Sequence, residues 1–157
     1  MRRVNKILNN NIFKKCLLEI EEFEKRRVFC KHDLNHFLTM SRLAYIMVLE
    51  QKIKINKEVI YAVGLLHDIG RCLEYKEGID HHKASVDISK DILKDCDFNE
   101  EERIFILDAI GAHRDSHSSG IKNIFYSADK FSRDCIQCKA KKECYWNEEK
   151  KNLYIKY

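Results

Sequence analysis

The 157-residue sequence contains no proline and only five glycines. These two residue types are the strongest breakers of helices, so few positions interrupt the chain and helix is favoured throughout. We also find no linker, internal repeat or low-complexity tract in the sequence. We therefore expect an all-α fold of about six to seven helices that forms a single compact domain over residues 1–157.

Long apolar runs are missing as well. No stretch approaches the ~18 apolar residues that a transmembrane helix needs. The basic start of the chain runs into three asparagines at positions 9 to 11 rather than into the apolar core of a secretion signal. We expect a cytoplasmic protein that makes no use of a membrane.

The cysteine content and the net charge of the sequence narrow the possible kinds of protein further. The seven cysteines are an odd number in an ordinary globular composition, which argues against a secreted disulfide framework and favours reduced thiols. The net charge of +4 comes from residues 130–157, which hold eight Lys/Arg against four Asp/Glu. Because such an excess is more often a solvated face than a binding surface, we expect nucleic acid to be an unlikely partner.

Apolar residues recur at helical spacing in six segments. The first stripe runs from Ile7 to Phe23 and the second from Leu34 to Leu49. A third helix is predicted to open at Asn56 and to end near Gly70. Three more are predicted over residues 82–95, 99–112 and 121–134, with Asn99 as a cap and Ile104 among the core positions of its helix.

A His-Asp pair, His67-Asp68, directly follows the apolar end of the third segment. A carboxylate is almost never fully buried unless a cation or hydrogen bonds compensate its charge, so a metal ion shared with His67 would satisfy Asp68. The alternative is a pair at a helix C-terminus, with His67 on the last carbonyls and Asp68 facing water. The dipeptide alone does not decide between the two.

Further histidines and one aspartate fall on separate predicted segments, and they favour the metal. They are His36, His81, His82, His113 and Asp129. Imidazole and carboxylate ligands suit Mn, Fe, Co, Ni or Zn, and the lack of thiolate among them argues against a purely structural zinc site. A second His-Asp pair, His32-Asp33, follows basic residues, and we interpret it as the start of a helix. His32 shares a helical face with His36 and could contact the same pocket.

At these residues the chain resembles the HD superfamily of metal-dependent phosphohydrolases, over roughly residues 30–132. The family pattern is a histidine, a His-Asp pair and a distant aspartate, which His36, His67, Asp68 and Asp129 match in order. Branches that hold two metals add histidines between the pair and the last aspartate, where His81 and His113 fit and His82 is the alternative ligand. The combination is similar to the bacterial branch that hydrolyses dinucleoside polyphosphates.

The resemblance implies hydrolysis of a phosphoester or phosphoanhydride in a small, nucleotide-like substrate, with one or two divalent ions. Asp68 is then a metal ligand and a plausible proton acceptor. The predicted substrate contacts are Arg71, Arg114, Lys130 and His82. Phosphate chemistry comes from the resemblance alone, since the ligand set also suits a di-iron oxygenase. A non-catalytic metal-binding or regulatory module that binds RNA is the other alternative.

The C-terminal segment, residues 133–157, carries the pattern Cys135-x2-Cys138-x5-Cys144. Three cysteines at this spacing could supply three of the four ligands of a zinc or iron–sulfur site. Either Cys30 or Cys72 completes it only if the fold brings one of them near. A closed metal site and a trio of free thiols remain equally open from the sequence.

Overall fold

The computed structural model describes residues 1–113 and 117–157, and these residues form helices without any strand. The all-α prediction is confirmed. Eight helices occur in the described residues: α1 Arg2–Asn9, α2 Asn11–Phe23, α3 Leu34–Glu50, α4 Lys57–Leu66, α5 Arg71–Glu77, α6 His81–Lys94, α7 Glu100–Ala112 and α8 Gly120–Phe131. The predicted substrate residue Arg114 lies outside the described residues.

Side-chain caps fix where several helices begin. Asn56 caps α4, and Asn99 forms a reciprocal capping box with Glu102 at the start of α7, as the sequence predicted. Asn10 also caps a helix. Its extended backbone, with ψ of 135°, separates α1 from α2. The first predicted stripe is therefore two helices, because a residue that caps the second cannot continue the first.

The end of α4 differs from the expected end near Gly70. The helix stops at Leu66, residues 67–70 form a turn, and α5 follows over residues that carry no helical stripe of their own. Gly78, with φ of +72°, ends α5 in the left-handed conformation that favours glycine. The turn carries the His-Asp pair into the interior instead of leaving it on a helix surface.

Helix α4 occupies the centre of the fold, with α1, α3 and α7 packed around it. Its residues Ile60, Ala62, Val63, Leu65 and Leu66 have no solvent exposure. Close approach of α3 requires Gly64, since a Cβ there would lie 2.1 Å from the Ser41 hydroxyl oxygen. Burial on all sides explains why this segment is so apolar in sequence.

The outer face of α7 and the C-terminal segment lie at the edges of the fold. Ile104 is 59% exposed, so its predicted core position on α7 is wrong, whereas Ile106 and Ile110 are buried.

The segment 133–157 has no helix and is tied to the end of α8 by Asn152, whose amide donates to the Lys130 and Arg133 carbonyls. None of the described helices is both long enough and apolar enough to cross a membrane.

Candidate metal centre

Six of the residues predicted as ligands meet in the interior, and they come from five separate turns or helix ends. All are buried, with exposed fractions between 0% and 6%. They are His36 in the first turn of α3, His67 and Asp68 after α4, His81 at the first position of α6, His113 at the end of α7, and Asp129 on α8.

The Asp68 carboxylate stands at the centre of this group. Its Oδ2 atom lies 3.5 Å from Nε2 of His67 and 3.8 Å from Nε2 of His36. Its Oδ1 atom lies 3.3 Å from Nε2 of His81 and 3.6 Å from Nε2 of His113. The two oxygens therefore face two different pairs of imidazoles.

The Nδ1 atom of each of these imidazoles is held by another group. His67 Nδ1 donates to the Gly64 carbonyl at 2.8 Å, and His113 Nδ1 donates to the Ile110 carbonyl at 2.6 Å. His81 Nδ1 lies 2.8 Å from Glu74 Oε1. Nδ1 donation leaves the Nε2 lone pair free, and this is the tautomer that binds a metal.

The fourth imidazole is held through a hydroxyl. His36 Nδ1 lies 2.9 Å from the Ser132 hydroxyl oxygen, and that hydroxyl donates to the Asp129 carbonyl at 2.6 Å. Because the single hydroxyl hydrogen is used on the carbonyl, the oxygen accepts from Nδ1–H of His36. Its Nε2 is then also an electron-pair donor directed at Asp68.

Several polar atoms at this point have no partner within the described residues. Nε2 of His36, Nε2 of His67 and Oδ1 of Asp68 are buried and lack a hydrogen bond. Buried polar atoms without a hydrogen bond are costly. A cation beside Oδ2 would satisfy the two Nε2 atoms, and a cation beside Oδ1 would satisfy that oxygen. The residues present therefore fit a divalent metal ion.

Two candidate positions for an ion share Asp68. The first group is His36, His67, Asp68 and Asp129, and the second is Asp68, His81 and His113; within each group the ligand atoms lie within 4.8 Å of one another. His81, not His82, belongs to the second group. Buried His/Asp sets of this kind can bind a metal ion.

The electrostatics of the site suit ligands that must be deprotonated. Complete burial opposes ionisation of Asp68, but electrostatic interactions with His67 and with the Arg71 guanidinium hold its pKa well below the usual range. Burial lowers the pKa of both His36 and His81 to about 4, against the opposing effect of Asp68. At neutral pH the carboxylate is charged and these two imidazoles are neutral.

Asp129 is paired with two cations besides its histidine neighbours. Lys130 Nζ lies 2.7 Å from Oδ2, and Arg133 Nη2 donates to Oδ1 at 2.9 Å. Burial raises the pKa of this carboxyl, but His67 and the two cations lower it well below its usual range. Sequence reasoning missed Arg133, which stands four residues after Asp129 on the same side of the end of α8.

A fifth imidazole, that of His32, lies close to Asp68. Its Nε2 atom lies 3.6 Å from Asp68 Oδ2, while Nδ1 contacts the buried carboxylate of Glu24, which also accepts from the Tyr75 hydroxyl. The sequence indicated a helix start here, and Asp33 does cap α3. No local pattern pointed to Glu24, because it comes from the end of α2 and meets His32 only in the fold.

The predicted substrate residues lie in different surroundings. Arg71 Nε is 3.2 Å from Asp68 Oδ1, and Lys130 is paired with Asp129. His82 is half-buried and belongs to neither ligand group of the described residues. Arg71 and Lys130, but not His82, are among the described residues that line the pocket over the site.

That pocket has a volume of about 270 Å³ and opens above Asp68 and Asp129. Its wall carries basic side chains, Arg71, Lys130, Arg133 and Lys141 among them, and the aromatic residues Phe29 and Trp146. The irregular C-terminal segment supplies one side of this wall. Four cysteines, Cys30, Cys135, Cys138 and Cys144, also line the pocket.

Comparisons with known proteins agree with the geometry. The sequence matches the HD domain family over residues 33–146. A protein of Clostridium beijerinckii described as an uncharacterized protein is 46% identical over 157 residues, which cover 100% of both chains. No solved structure matches significantly. Since the family match covers most of the chain and includes all six clustered ligand residues, the chain belongs to the HD domain family.

Proposed function

We propose that this chain is a metal-dependent phosphohydrolase that hydrolyses a phosphoester or phosphoanhydride of a nucleotide-like substrate. The observation that carries the proposal is the position of Asp68. Its two carboxylate oxygens face separate imidazole groups at the floor of a pocket whose wall is basic. A centre that binds one or two cations beneath a basic wall suits an anionic substrate.

His36, His67, Asp68 and Asp129 would hold one ion, and His81 and His113 would hold a second together with Asp68. When bound, such ions supply Lewis acidity for a phosphoryl oxygen and bring the pKa of a water molecule to ~7. Three side chains leave an open position on any of these ions, as catalytic sites need, whereas four side chains leave one only on an ion with five or six ligands and would close a tetrahedral zinc site. The donor set is consistent with Mn, Fe, Co, Ni or Zn.

The basic side chains beside the ligands have a direct role with a phosphorylated substrate. Arg71 and Lys130 each lie within 3.2 Å of a ligand carboxylate, and Arg133 has a buried Nη1 atom without a hydrogen-bond partner among the described residues. Guanidinium groups bind phosphate oxygens in bidentate fashion. We assign to these three residues the binding and orientation of the phosphoryl group.

Asp68 has a second role when a single ion is held at its Oδ2 side. Its Oδ1 atom, which has no hydrogen-bond partner among the described residues, would then accept the proton of the attacking water. Because the pKa of this carboxyl is strongly lowered, it would not retain the proton, which would pass to the leaving oxygen of the substrate. Arg71, 3.2 Å from Oδ1, holds that oxygen in position.

The aromatic part of the pocket supports the nucleotide-like class. Phe29 and the half-buried Trp146 line the same cavity as the basic residues. Flat faces of this kind stack on bases, while the cations bind phosphate. A substrate with both a base and a phosphoanhydride would use the two parts of the wall together.

The proposal is tested by phosphate release from a panel of nucleotides and dinucleotides, with Mn, Fe, Co and Ni supplied in turn. Asp68→Ala should reduce release by at least ~10²-fold, because it removes a ligand and a proton acceptor. The matched control is Asp108→Ala, at an exposed aspartate on α7 paired with Lys122, which should retain full activity. If Asp68→Ala stays within about threefold of the parent under saturating metal, Asp68 has no part in the reaction.

The same purified protein also distinguishes the proposed function from the two alternative functions. A di-iron oxygenase would consume dioxygen in the presence of iron and release no phosphate from any member of the panel. A non-catalytic RNA-binding module would bind RNA with an affinity that falls steeply as salt increases, since its contacts would be with phosphates. Either result in place of phosphate release overturns the proposed function.

A further inference from the structure

A second set of potential ligands lines the same pocket as the His/Asp centre. Cys30 comes from the loop before α3, and Cys135, Cys138 and Cys144 come from the C-terminal segment; all four line the pocket. Cys72, the other candidate for a fourth cysteine, is in the apolar core and donates to the Ile69 carbonyl. The fold therefore supplies Cys30 as the residue that completes the three-cysteine pattern.

Electrostatic contacts indicate that these thiols are neighbours. Burial raises the pKa of Cys30, Arg133 lowers it, and the Cys135 and Cys138 thiols raise it further. The pKa of Lys151 is raised by its ion pair with Glu148 and also by the Cys144 and Cys135 thiols. Cys135 is thus near both Cys30 and Lys151, and Lys151 is near Cys144.

Apolar packing does not account for the path of residues 133–157. Tyr145, Tyr154 and Ile155 are more than 80% exposed, and Ile136 is 54% exposed. Within this segment only Ala140 and Cys135 are buried. An irregular segment of this length without a core of its own needs another organising element, and a bound metal group supplies one in many small domains.

Two kinds of metal group require different separations between the thiols. Zn–S bonds of ~2.3 Å in a tetrahedron place the sulfurs about 3.8 Å apart. Among the described residues, the ligand groups within 4.8 Å of one another are the two His/Asp groups, and no cysteine belongs to them. In a four-iron cluster each thiolate binds a different iron, so the sulfurs stand farther apart around a larger group.

The charges around the thiols suit a cluster with a net negative charge. Arg133, Lys141 and Lys151 line the pocket together with the four cysteines. Neighbouring cations stabilise thiolates and are among the factors that set the reduction potential of such clusters. We infer that Cys30, Cys135, Cys138 and Cys144 bind a [4Fe–4S] cluster in the wall of the pocket that the His/Asp centre occupies.

The test uses the full chain, purified without oxygen and reconstituted with ferrous iron and inorganic sulfide. We expect about four acid-labile sulfides per chain, the content of a [4Fe–4S] cluster, together with a reducible visible absorbance. Cys144→Ser and Cys138→Ser should lose most of the sulfide and absorbance while the helical circular dichroism is kept. Cys16→Ala, at a buried cysteine of α2, is the matched control and should retain the full sulfide content.

Acid-labile sulfide separates this inference from the proposed function, because His and Asp ligands hold ions without sulfide. Asp68→Ala should lose phosphate release and keep the sulfide. Limited trypsin digestion gives an independent readout, since Cys144→Ser should expose the chain at Lys139, Lys141 and Lys142. Binding of one zinc without sulfide, failure to bind any metal group, or full sulfide in both Cys144→Ser and Cys138→Ser would each overturn the inference.

Discussion

Gly70 fixes the distance between the His-Asp turn and the first turn of α6. A Cβ at this position would lie 2.2 Å from the Ser85 backbone nitrogen and 2.3 Å from the His81 carbonyl oxygen. Both are backbone atoms, so no side-chain rotation could make room. The Gly70 N–H also donates to the Ser85 hydroxyl at 2.8 Å, in a fully buried contact. We predict that Gly70→Ala separates these two elements.

The expected cost has two parts. Forcing a methyl group into a packed interior costs ~1–3 kcal/mol, and loss of a buried hydrogen bond costs a further ~0.5–1.5 kcal/mol. The free energy of unfolding of the metal-free protein should therefore fall by about 1.5–4.5 kcal/mol. Because His81 lies on the displaced turn, the second ion should also bind more weakly than the first.

Gly111 offers a matched control in the helical part of α7. A Cβ there would meet only Val86 Cγ2, at 3.6 Å, which is ordinary contact. Gly111→Ala should leave stability unchanged or raise it by up to ~1 kcal/mol through helix propensity. Urea unfolding with chelator, followed by far-ultraviolet circular dichroism, measures both variants. If the free energy of unfolding of Gly70→Ala lies within about 0.5 kcal/mol of the parent's value, the argument from backbone contact is refuted.

Three further perturbations test other parts of the structure. Burial opposes ionisation of Glu58, but hydrogen bonds from Arg3 lower its pKa below the usual 4.5. Its ionised form therefore stabilises the fold above pH 4.5. Urea unfolding of the parent and of Glu58→Gln measures this contribution. The difference between their free energies of unfolding should shrink as the pH falls below 4.5. Asn99→Ala removes the capping box of α7 and should cost about 0.5–2 kcal/mol in the same assay, and no loss would contradict the cap. Ser132→Ala removes the hydroxyl that holds His36 Nδ1, so metal affinity measured by titration should fall ~10–100-fold; an unchanged affinity would contradict that role.

Much of the fold was predictable because caps and apolar spacing are local signals. Asn56 and Asn99 begin α4 and α7 as expected, since a capping side chain acts on the backbone within three residues. The break at Asn10 was missed, because the apolar stripe continues across it. Helix α5 was missed for a different reason: its seven residues are held by packing against α2 and α6 more than by a pattern of their own.

The candidate site, too, was predictable from the sequence only in part. The residues that the fold brings around Asp68 could be named from the sequence, because a resemblance assigned them by their order along the chain. The groups that hold them in place could not. Glu24 and Ser132 contact His32 and His36 only through tertiary packing, and the 96-residue separation of Ser132 from His36 leaves no local trace.

Helix termini explain why imidazoles converge at this point. The last carbonyls of an α-helix have no intrahelical partner. His67 follows α4 and His113 follows α7, and each ring donates its Nδ1–H to a carbonyl three residues earlier in its own helix. The contact gives the Gly64 carbonyl a donor and the Ile110 carbonyl a second donor besides the His113 backbone N–H, it fixes the tautomer, and Nε2 then faces Asp68. A histidine placed directly after an apolar helix is thus oriented as a ligand by its own backbone, before any contact with the rest of the site.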